Sequence, residues 1–581
     1  MLILGLYSAH DANAALFDDY RLVAAVAEER LTRVKGDGGR FPAAAVEACL
    51  RQAGASAADV EVVCLPRVDY PAGYYGWRAH LPVPQRSRTG MLDLSSVMAR
   101  NRVRDPLAAL DAGRWLAEQG GLRPKRIAFY NHHLSHALGA LFHTPWQDAL
   151  LYTADGGGDR VFYSARRLAG GRLEDLFGGE DASLALRRPQ TRADSLGLLY
   201  AAVTRALGMQ PLRHEGKVLG LAAFGTPRFA PELEAFYAVA EDGQVRATAE
   251  RARIEATVER LAREAPREDV AASVQAVLER LELEALRRIL ARHPARNLGL
   301  CGGVFANVKL TQRIAEAFPQ LEEVFVYPAM SDQGEGAGGA LQYLLERDGL
   351  PAWLSRRPGR FESLYLGPDH MEEADGVLRA AGCRAIATED LAGNAARLIQ
   401  AGKVIGTYLG RCEYGPRALG ARSIMAAPVS RGINDQLNRR LDRTDFMPFA
   451  PVVRESRCDA VFRLPESLRY TARFMTVTCD VREEWRERIP AVVHVDGTAR
   501  PQLIRREANP LYHDVLEAYE ALTGLPVLIN TSFNVHEEPI INRPEEALRA
   551  LQQDRVDCLL TPGGIWEMPR AGAAAAAPPA G

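Results

Sequence analysis

YNHHLSHALGALFHTPWQDALLYTADGGGD, residues 130–159, is the stretch from which the rest of the chain can be read. His132 and His136 are one turn apart on a helix, so both imidazoles share a face and can reach one ion. The apolar run 149–154 reads as a buried strand that delivers Asp155 to three glycines beginning at Gly156, where the backbone can approach a ligand closely. AMSDQGEGAGGA (329–340) has the same strand-acid-glycine form and offers Asp332 as a second carboxylate, followed by Gly334. A histidine pair alone is more often surface decoration or a satisfied core pair. With two acids at strand ends it becomes a candidate metal site.

The pattern around this stretch is repetitive. Residues 149–177 run strand ALLYTA, turn DGGGD, strand VFYSARRL, turn AGG and then RLEDLF. At the N-terminus LILGLY (2–7) ends at SAHDAN, and AALFDDYRLVAAVAEER reads as a hairpin closed at Asp18, Asp19 and Tyr20. One strand-turn-strand unit used twice, with glycine-lined turns and helices after it, predicts a duplicated actin-like ATPase (ribonuclease H-like) domain, although other α/β folds share the pattern. LGLCGGVFANVKL (298–310) is a strand, a double glycine and a helix start, so Gly302, Gly303 and Asn307 suit a nucleotide's sugar or base passing near the backbone. Residues 270–292 form an amphipathic helix whose apolar stripe is core. Lys217 in RHEGKVLGLAAFG is either a solvated turn residue or a cation that holds phosphate.

Residues 66–90 are rich in Pro, Gly and aromatics and read as a lid or a covering loop, with Tyr70, Tyr74, Tyr75 and Trp77 as stacking surfaces for an acceptor. The expected organisation is a first domain over 1–347, a connecting segment over 348–394, a second α/β domain over 395–570 and a disordered Ala/Pro tail over 571–581. The second domain opens with KVIGTYLGRCEYGPRALGARSIMAAP (403–428). Arg411, Arg417 and Arg422 lie on its one glycine-rich loop, which reads as a bidentate phosphate clamp or as a solvated turn. Arg440 and Arg443, then His494, Asp496, Thr498 and Arg500, then Asn530, Ser532 and Asn534 gather beside further strands, and polar groups at strand ends define a cleft.

At 581 residues the chain exceeds one core, and its 47% hydrophobic and 25% charged residues are those of a globular protein. The net charge of -2 argues against a nucleic-acid partner, which calls for neutralised phosphates. Without an apolar run of about 18 residues or a basic leader, neither membrane insertion nor export is expected, and the location expected is the cytoplasm. The eight cysteines include no CxxC pair and read as reduced thiols.

Taken in order, SAHDANAAL with AEERLTRVK, HHLSHA, DGGGD, HEGKVLGLAAFG, GGVFAN, CEYGPRALGARSI, FMPFAP, HVDGTARPQ and NTSFN resemble the O-carbamoyltransferase family of nodulation-factor, cephem, aminoglycoside and ansamycin carbamoyltransferases. The resemblance implies a first domain similar to the universal tRNA threonylcarbamoyl-transfer ATPase and a second similar to the YrdC fold. It implies that His132, His136, Asp155 and Asp332 hold iron(II), although the ligand chemistry alone also admits Zn or Mn. His133 then points elsewhere. His10 corresponds to the family's acceptor-site histidine and Lys35 to a lysine near it, while Arg417, Arg443, Arg500, Ser532 and Asn534 match positions that bind carbamoyl phosphate and ATP, with Mg expected alongside. The chain departs from many relatives at Leu441 and Met447, where they carry Lys and Arg.

The reaction so implied makes carbamoyladenylate from carbamoyl phosphate and ATP in the second domain. The carbamoyl group then passes to a hydroxyl of a small molecule, of the secondary-metabolite type used in antibiotic biosynthesis, at the metal in the first. An imidazole titrates near 6.5, which suits His10 as the base for that hydroxyl. A threonylcarbamoyl-type tRNA modification enzyme, a non-catalytic actin-like switch and a sugar kinase are the competing readings. A homodimer is one assembly left open.

Overall fold

The computed structural model describes residues 1–76, 90–443 and 448–569. The apolar run at the N-terminus forms β1 (Leu2–Tyr7), which pairs antiparallel with β2 (Asn13–Asp18). β2 turns through Asp19 and Tyr20 into β3 (Arg21–Ala27), with Asp19 at a φ of 50° as a two-residue hairpin turn favours. β4 (Val60–Leu65) and β5 (Arg126–Phe129) then join parallel on the other side of β1, and the sheet order is β3-β2-β1-β4-β5.

The second lobe repeats the topology strand for strand. β6 (Ala149–Gly158), β7 (Val161–Ala169), β8 (Arg172–Phe177), β9 (Asn297–Cys301) and β10 (Glu323–Val326) lie in the order β8-β7-β6-β9-β10, again antiparallel on one side and parallel on the other. This is the duplicated actin-like plan expected from the sequence. One local expectation fails. DGGGD is not the turn itself, because β6 continues through Gly158 with an irregular register after Ala154, and the reversal falls at Asp159 and Arg160.

Two helices lie between the sheets. α1 (His132–Phe142) follows β5 but packs on β6 and β9 of the other lobe, while α2 (Glu335–Asp348) follows β10 and packs on β1, β2 and α1. The glycines of GEGAGG, which cost helix propensity, serve this crossing. A Cβ on Gly5 would overlap the carbonyl of Gly336, and one on Gly338 would overlap that of Ser135.

The second domain is built on a mixed eight-stranded sheet, an α/β arrangement in keeping with the YrdC-like expectation. Its strands are β11 (Arg384–Ala387), β12 (Ile405–Thr407), β13 (Ser423–Ala426), β14 (Ala450–Arg454), β15 (Gln502–Ile504), β16 (Val527–Ser532), β17 (Cys558–Thr561) and β18 (Gly564–Glu567). They lie in the order β11-β18-β17-β12-β13-β16-β14-β15. The stretch between the domains is partly structured, since β11 pairs with β18 at this sheet's edge. The apolar core of the second lobe runs on into this domain. Phe325 of β10 stacks on Tyr470 at 4.5 Å, and Thr471 bonds the backbone of the same strand, donating to Val324 O at 2.7 Å and accepting from Val326 N at 3.2 Å. No helix among the described residues is long and apolar enough to cross a membrane. The tail expected to be disordered and Met447 lie outside the described residues.

Candidate functional site

The histidine pair sits at the start of α1, where Asn131 caps the helix by accepting from Leu134 N at 2.9 Å. The rings of His132 and His136 are 4.7 Å apart and nearly perpendicular, at 89°. Asp155 arrives on β6 and Asp332 on the turn before α2. His132 Nε2 is 3.0 Å from Asp155 Oδ2 and 3.7 Å from Asp332 Oδ1, and His136 Nε2 is 3.8 Å and 3.6 Å from the same atoms. One ligand atom from each of the four buried residues lies within 4.8 Å of every other.

Burial opposes charge here, yet the carboxylates of Glu335 and Asp332 hold His132 up to about 9. Against the same burial, the two histidines hold Asp155 well below the usual carboxylate range. The acids therefore retain positive charge between them, which is what a divalent cation supplies. His136 Nε2 is buried without a hydrogen-bond partner, although a buried polar atom is costly when left unmatched. The residues fit a divalent ion of the iron, zinc or manganese type.

The glycines around this cluster make room for it. A Cβ on Gly158 would overlap the His132 ring, and Gly302, at a φ of 101°, lies where a Cβ would overlap the carbonyl of Ala154. Gly303 N donates to Asp155 Oδ1 at 2.9 Å, orienting the ligand acid. Gly334 packs under Tyr327 and Ala329, while Gly156 follows Asp155 on β6. His133 turns away as expected, with Nδ1 2.7 Å from Thr153 Oγ1 and Nε2 3.0 Å from Val161 O.

His10 joins the cluster, with its Nε2 3.2 Å from Asp332 Oδ2, and stays open to solvent with 49% of its side chain exposed. The Asp332 charge raises it above the ordinary imidazole value while burial opposes. Lys35 lies further out, 3.6 Å from Glu29 Oε1, and burial lowers its ammonium. Sequence reasoning missed Tyr7, whose hydroxyl donates to Asp332 Oδ2. It also missed Glu335, which lies 3.4 Å from His132 Nδ1 by Oε2 and 3.2 Å from His136 Nδ1 by Oε1. The signal for Glu335 was present, since Asp332 and Glu335 are three apart.

A second group forms at one end of the mixed sheet. Ser423 at the start of β13 faces Ser532 at the end of β16, Ala450 at the start of β14 faces Asn530, and β15 begins just after Arg500. The loops into β13, β14 and β15 thus converge on the loop leaving β16. Arg443 donates to Thr531 Oγ1 at 2.8 Å, to Ser532 Oγ at 3.0 Å and to Asn534 Oδ1 at 2.8 Å. Neither Arg417 nor Arg500 meets a carboxylate among the described residues, and Arg417 Nε is buried without a partner. Burial pushes Arg417 down to about 10. Burial, with Arg417's charge added, pushes Arg500 down to about 9.

The clamp of three guanidiniums on the 403–428 loop is corrected to one. Arg411 donates to Gly367 O at 3.0 Å and to Val23 O at 2.9 Å. Arg422 is buried on the Tyr408 ring and donates to Gly410 O at 2.9 Å. Both are occupied by carbonyls, which leaves Arg417. Arg440 pairs with Asp557 at 3.1 Å. Between the second lobe and this domain is a cavity of ≈ 240 Å³, mostly apolar, lined by Leu219, Gln275, Val308, Phe449, His494 and Arg500 among others. Asn307 lies on the helix start beside it but uses its side chain as a cap, accepting from Leu310 N at 3.1 Å. Lys217 faces the second domain, 3.5 Å from His536 Nε2.

The aromatics proposed as an acceptor platform are engaged elsewhere. Tyr70 is fully buried against Trp115 and donates to Pro66 O, while Tyr74 donates to Glu118 and Tyr75 to Leu92 O. Trp77 lies outside the described residues.

Comparison with known proteins covers nearly the whole chain. Residues 2–341 match the family model described as carbamoyltransferase N-terminus, and residues 396–566 match carbamoyltransferase C-terminus. Nodulation protein NolNO of Sinorhizobium fredii is 33% identical over 566 residues, covering 95% of this chain and 78% of that protein. Nodulation protein NolO of Bradyrhizobium diazoefficiens is 34% identical over 438 residues, covering 74% of this chain and 77% of that protein. Among solved structures, (R)-2-hydroxyglutaryl-CoA dehydratase component A of Acidaminococcus fermentans aligns at 15% identity with a TM-score of 0.33, covering 60% of this chain and 98% of that one.

Proposed function

The chain belongs to the carbamoyltransferase family, and from that premise we propose that it is an ATP-dependent O-carbamoyltransferase with two working sites. The observation that carries this reading is the pair Arg417 and Arg500, two partly desolvated cations that meet no carboxylate among the described residues, at the sheet end that also carries Arg443, Ser532 and Asn534. Unmatched buried charge is costly, so such a pair is retained where an anion completes it. Carbamoyl phosphate and the ATP triphosphate are anions of that kind.

In the second domain a water molecule cleaves carbamoyl phosphate to carbamate and phosphate, and a carbamate oxygen then bonds the α-phosphorus of ATP and displaces pyrophosphate. Arg417 and Arg500 offset the negative charge that builds on the leaving oxygens, and Arg443 holds Ser532 and Asn534 in place around the nucleotide. Carbamoyladenylate is wasted if it meets water, and the mostly apolar cavity that Arg500 lines is a place where it could be held away from bulk solvent.

Transfer is assigned to the first domain. His132, His136, Asp155 and Asp332 would hold the ion, iron(II) by family resemblance, and when bound it supplies Lewis acidity at the carbamoyl carbonyl. His10, with its Nε2 3.2 Å from Asp332 Oδ2, would take the proton of the acceptor hydroxyl as its oxygen bonds the carbamoyl carbon and AMP departs. The exposure of His10 lets a small hydroxylated acceptor reach it from solvent. The test is exchange of labelled pyrophosphate into ATP. Purified protein should catalyse it only when carbamoyl phosphate is present, and an absence of exchange would overturn the reading.

A further inference from the structure

Glu335 is absent from the ligand set, yet its one carboxylate faces the rear of both metal-binding imidazoles. Its Oε1 is 3.2 Å from His136 Nδ1 and its Oε2 is 3.4 Å from His132 Nδ1. The side chain is fully buried. Ser135, between the two histidines on α1, donates to Oε1 at 2.5 Å and holds the carboxylate in register. Among the described residues the other polar side chain at His136 Nδ1 is Cys301, whose Sγ is 3.5 Å away and also contacts Met330 O.

An imidazole ligates through a bare nitrogen, and which nitrogen is bare depends on where the other one places its proton. Once an ion takes Nε2 of each ring, the ring proton is left on Nδ1. Glu335, whose carboxylate only accepts and whose Oε2 is buried without a hydrogen-bond partner, is the acid that both Nδ1 atoms face. We infer that Glu335 is the positioning residue that sets the tautomer of His132 and His136 together, and so determines how tightly the site holds a divalent cation. The inference rests on the four-ligand reading of the site and is independent of which carbamoyl chemistry takes place there.

The sharpest consequence concerns glutamine. Its amide has nearly the same shape but only one acceptor atom, so it can serve one imidazole and must present N–H to the other. The second ring then accepts at Nδ1 and carries its proton on Nε2, the atom that must be bare to ligate. Glu335→Gln should therefore lose at least as much affinity as Glu335→Ala, which dictates no tautomer, despite its closer shape.

The experiment is titration of metal-stripped full-length protein with Zn2+ and with Co2+, reading the dissociation constant and the visible absorption of bound Co2+. Wild type is expected to bind one ion. Glu335→Gln is expected to bind about 10- to 100-fold more weakly, with an altered Co2+ spectrum and an unchanged unfolding temperature. Ser135→Ala, which keeps the carboxylate but removes its anchor, guards against a glutamine variant that fails to fold and should weaken binding by a smaller factor. Wild type that binds neither ion overturns the inference. So does a folded Glu335→Gln within about threefold of wild type, which falls outside the range for outer partners of metal ligands. Pyrophosphate exchange measured on the same samples should be unaffected, and its failure would bear on the proposed reaction while leaving the affinity comparison intact.

Discussion

Arg500→Gln should separate stability from activity in opposite directions. Burial, with Arg417's charge added, pushes the Arg500 guanidinium well below its ordinary value, to about 9, so at neutral pH the folded protein carries a cation that its surroundings disfavour. At about 1.4 kcal/mol for each pH unit, the full displacement corresponds to roughly 5 kcal/mol. Arg500 is only half-buried, and water relaxing around it reduces that to about 1–2 kcal/mol. A neutral glutamine should recover this amount, and for a chain of this size the ligand-free unfolding temperature should rise by about 1–3 °C. Pyrophosphate exchange should fall about 100- to 1,000-fold, the usual cost of removing one donor to a developing anion. Carbamoyl phosphate with ATP should raise the unfolding temperature of wild type well above its ligand-free value and leave the variant nearly unchanged. Scanning calorimetry with and without substrates reads the unfolding temperatures, and the labelled-pyrophosphate assay reads the rate. A variant that melts below wild type without ligand, or that exchanges at the wild-type rate, would refute the view of Arg500 as a cation awaiting its anion.

His132→Ala should abolish carbamoyl transfer while sparing pyrophosphate exchange, and equal loss of both would remove the division into two sites. Gly158→Ala drives a methyl group into the His132 ring, so bound metal measured by mass spectrometry should fall at least about tenfold while exchange persists; normal metal content would show that the strand can yield. Burial pushes Glu282, which accepts from Tyr152 on the core side of its helix, up to about 7. Because its folded-state value is raised, the protein loses stability as pH climbs from roughly 4.5 through 7. Glu282→Gln should thus gain about 1–3 kcal/mol over wild type at pH 8 and little at pH 5; equal shifts at both pH values in thermal unfolding would exclude ionisation as the cause.

How much of this was legible depended on whether chemistry or packing chose the residue. The two β-sheets were visible because strands such as LILGLY and ALLYTA are short, apolar and closed by turn residues, and because the plan recurs. The four candidate ligands could be read because imidazoles one turn apart gain a meaning when two acids beside glycines join them, and the folded chain brings these four together. Glu335 left a signal only in its spacing from Asp332, because its place behind the imidazoles depends on packing: it starts α2, whose glycines let that helix cross β1 and α1. Arg411 and Arg422 looked like phosphate ligands because a pattern shows where guanidiniums lie but not which backbone carbonyls are already waiting for them. Tyr70 looked like a stacking surface because local sequence does not reveal that Trp115 would cover it.

The Thr471 contact with β10 has a bearing on how this protein can be divided. β10 is the outermost ribbon of its sheet, and Thr471 occupies its outward-facing amide and carbonyl while Tyr470 shields Phe325. A gene cut between the halves would strip that cover, leaving an adhesive rim beside a greasy ring on one fragment and orphaned aromatics on the other. Such pieces should clump when made apart and recover when co-expressed, so the two halves are better regarded as one inseparable folding unit than as modules joined by a tether.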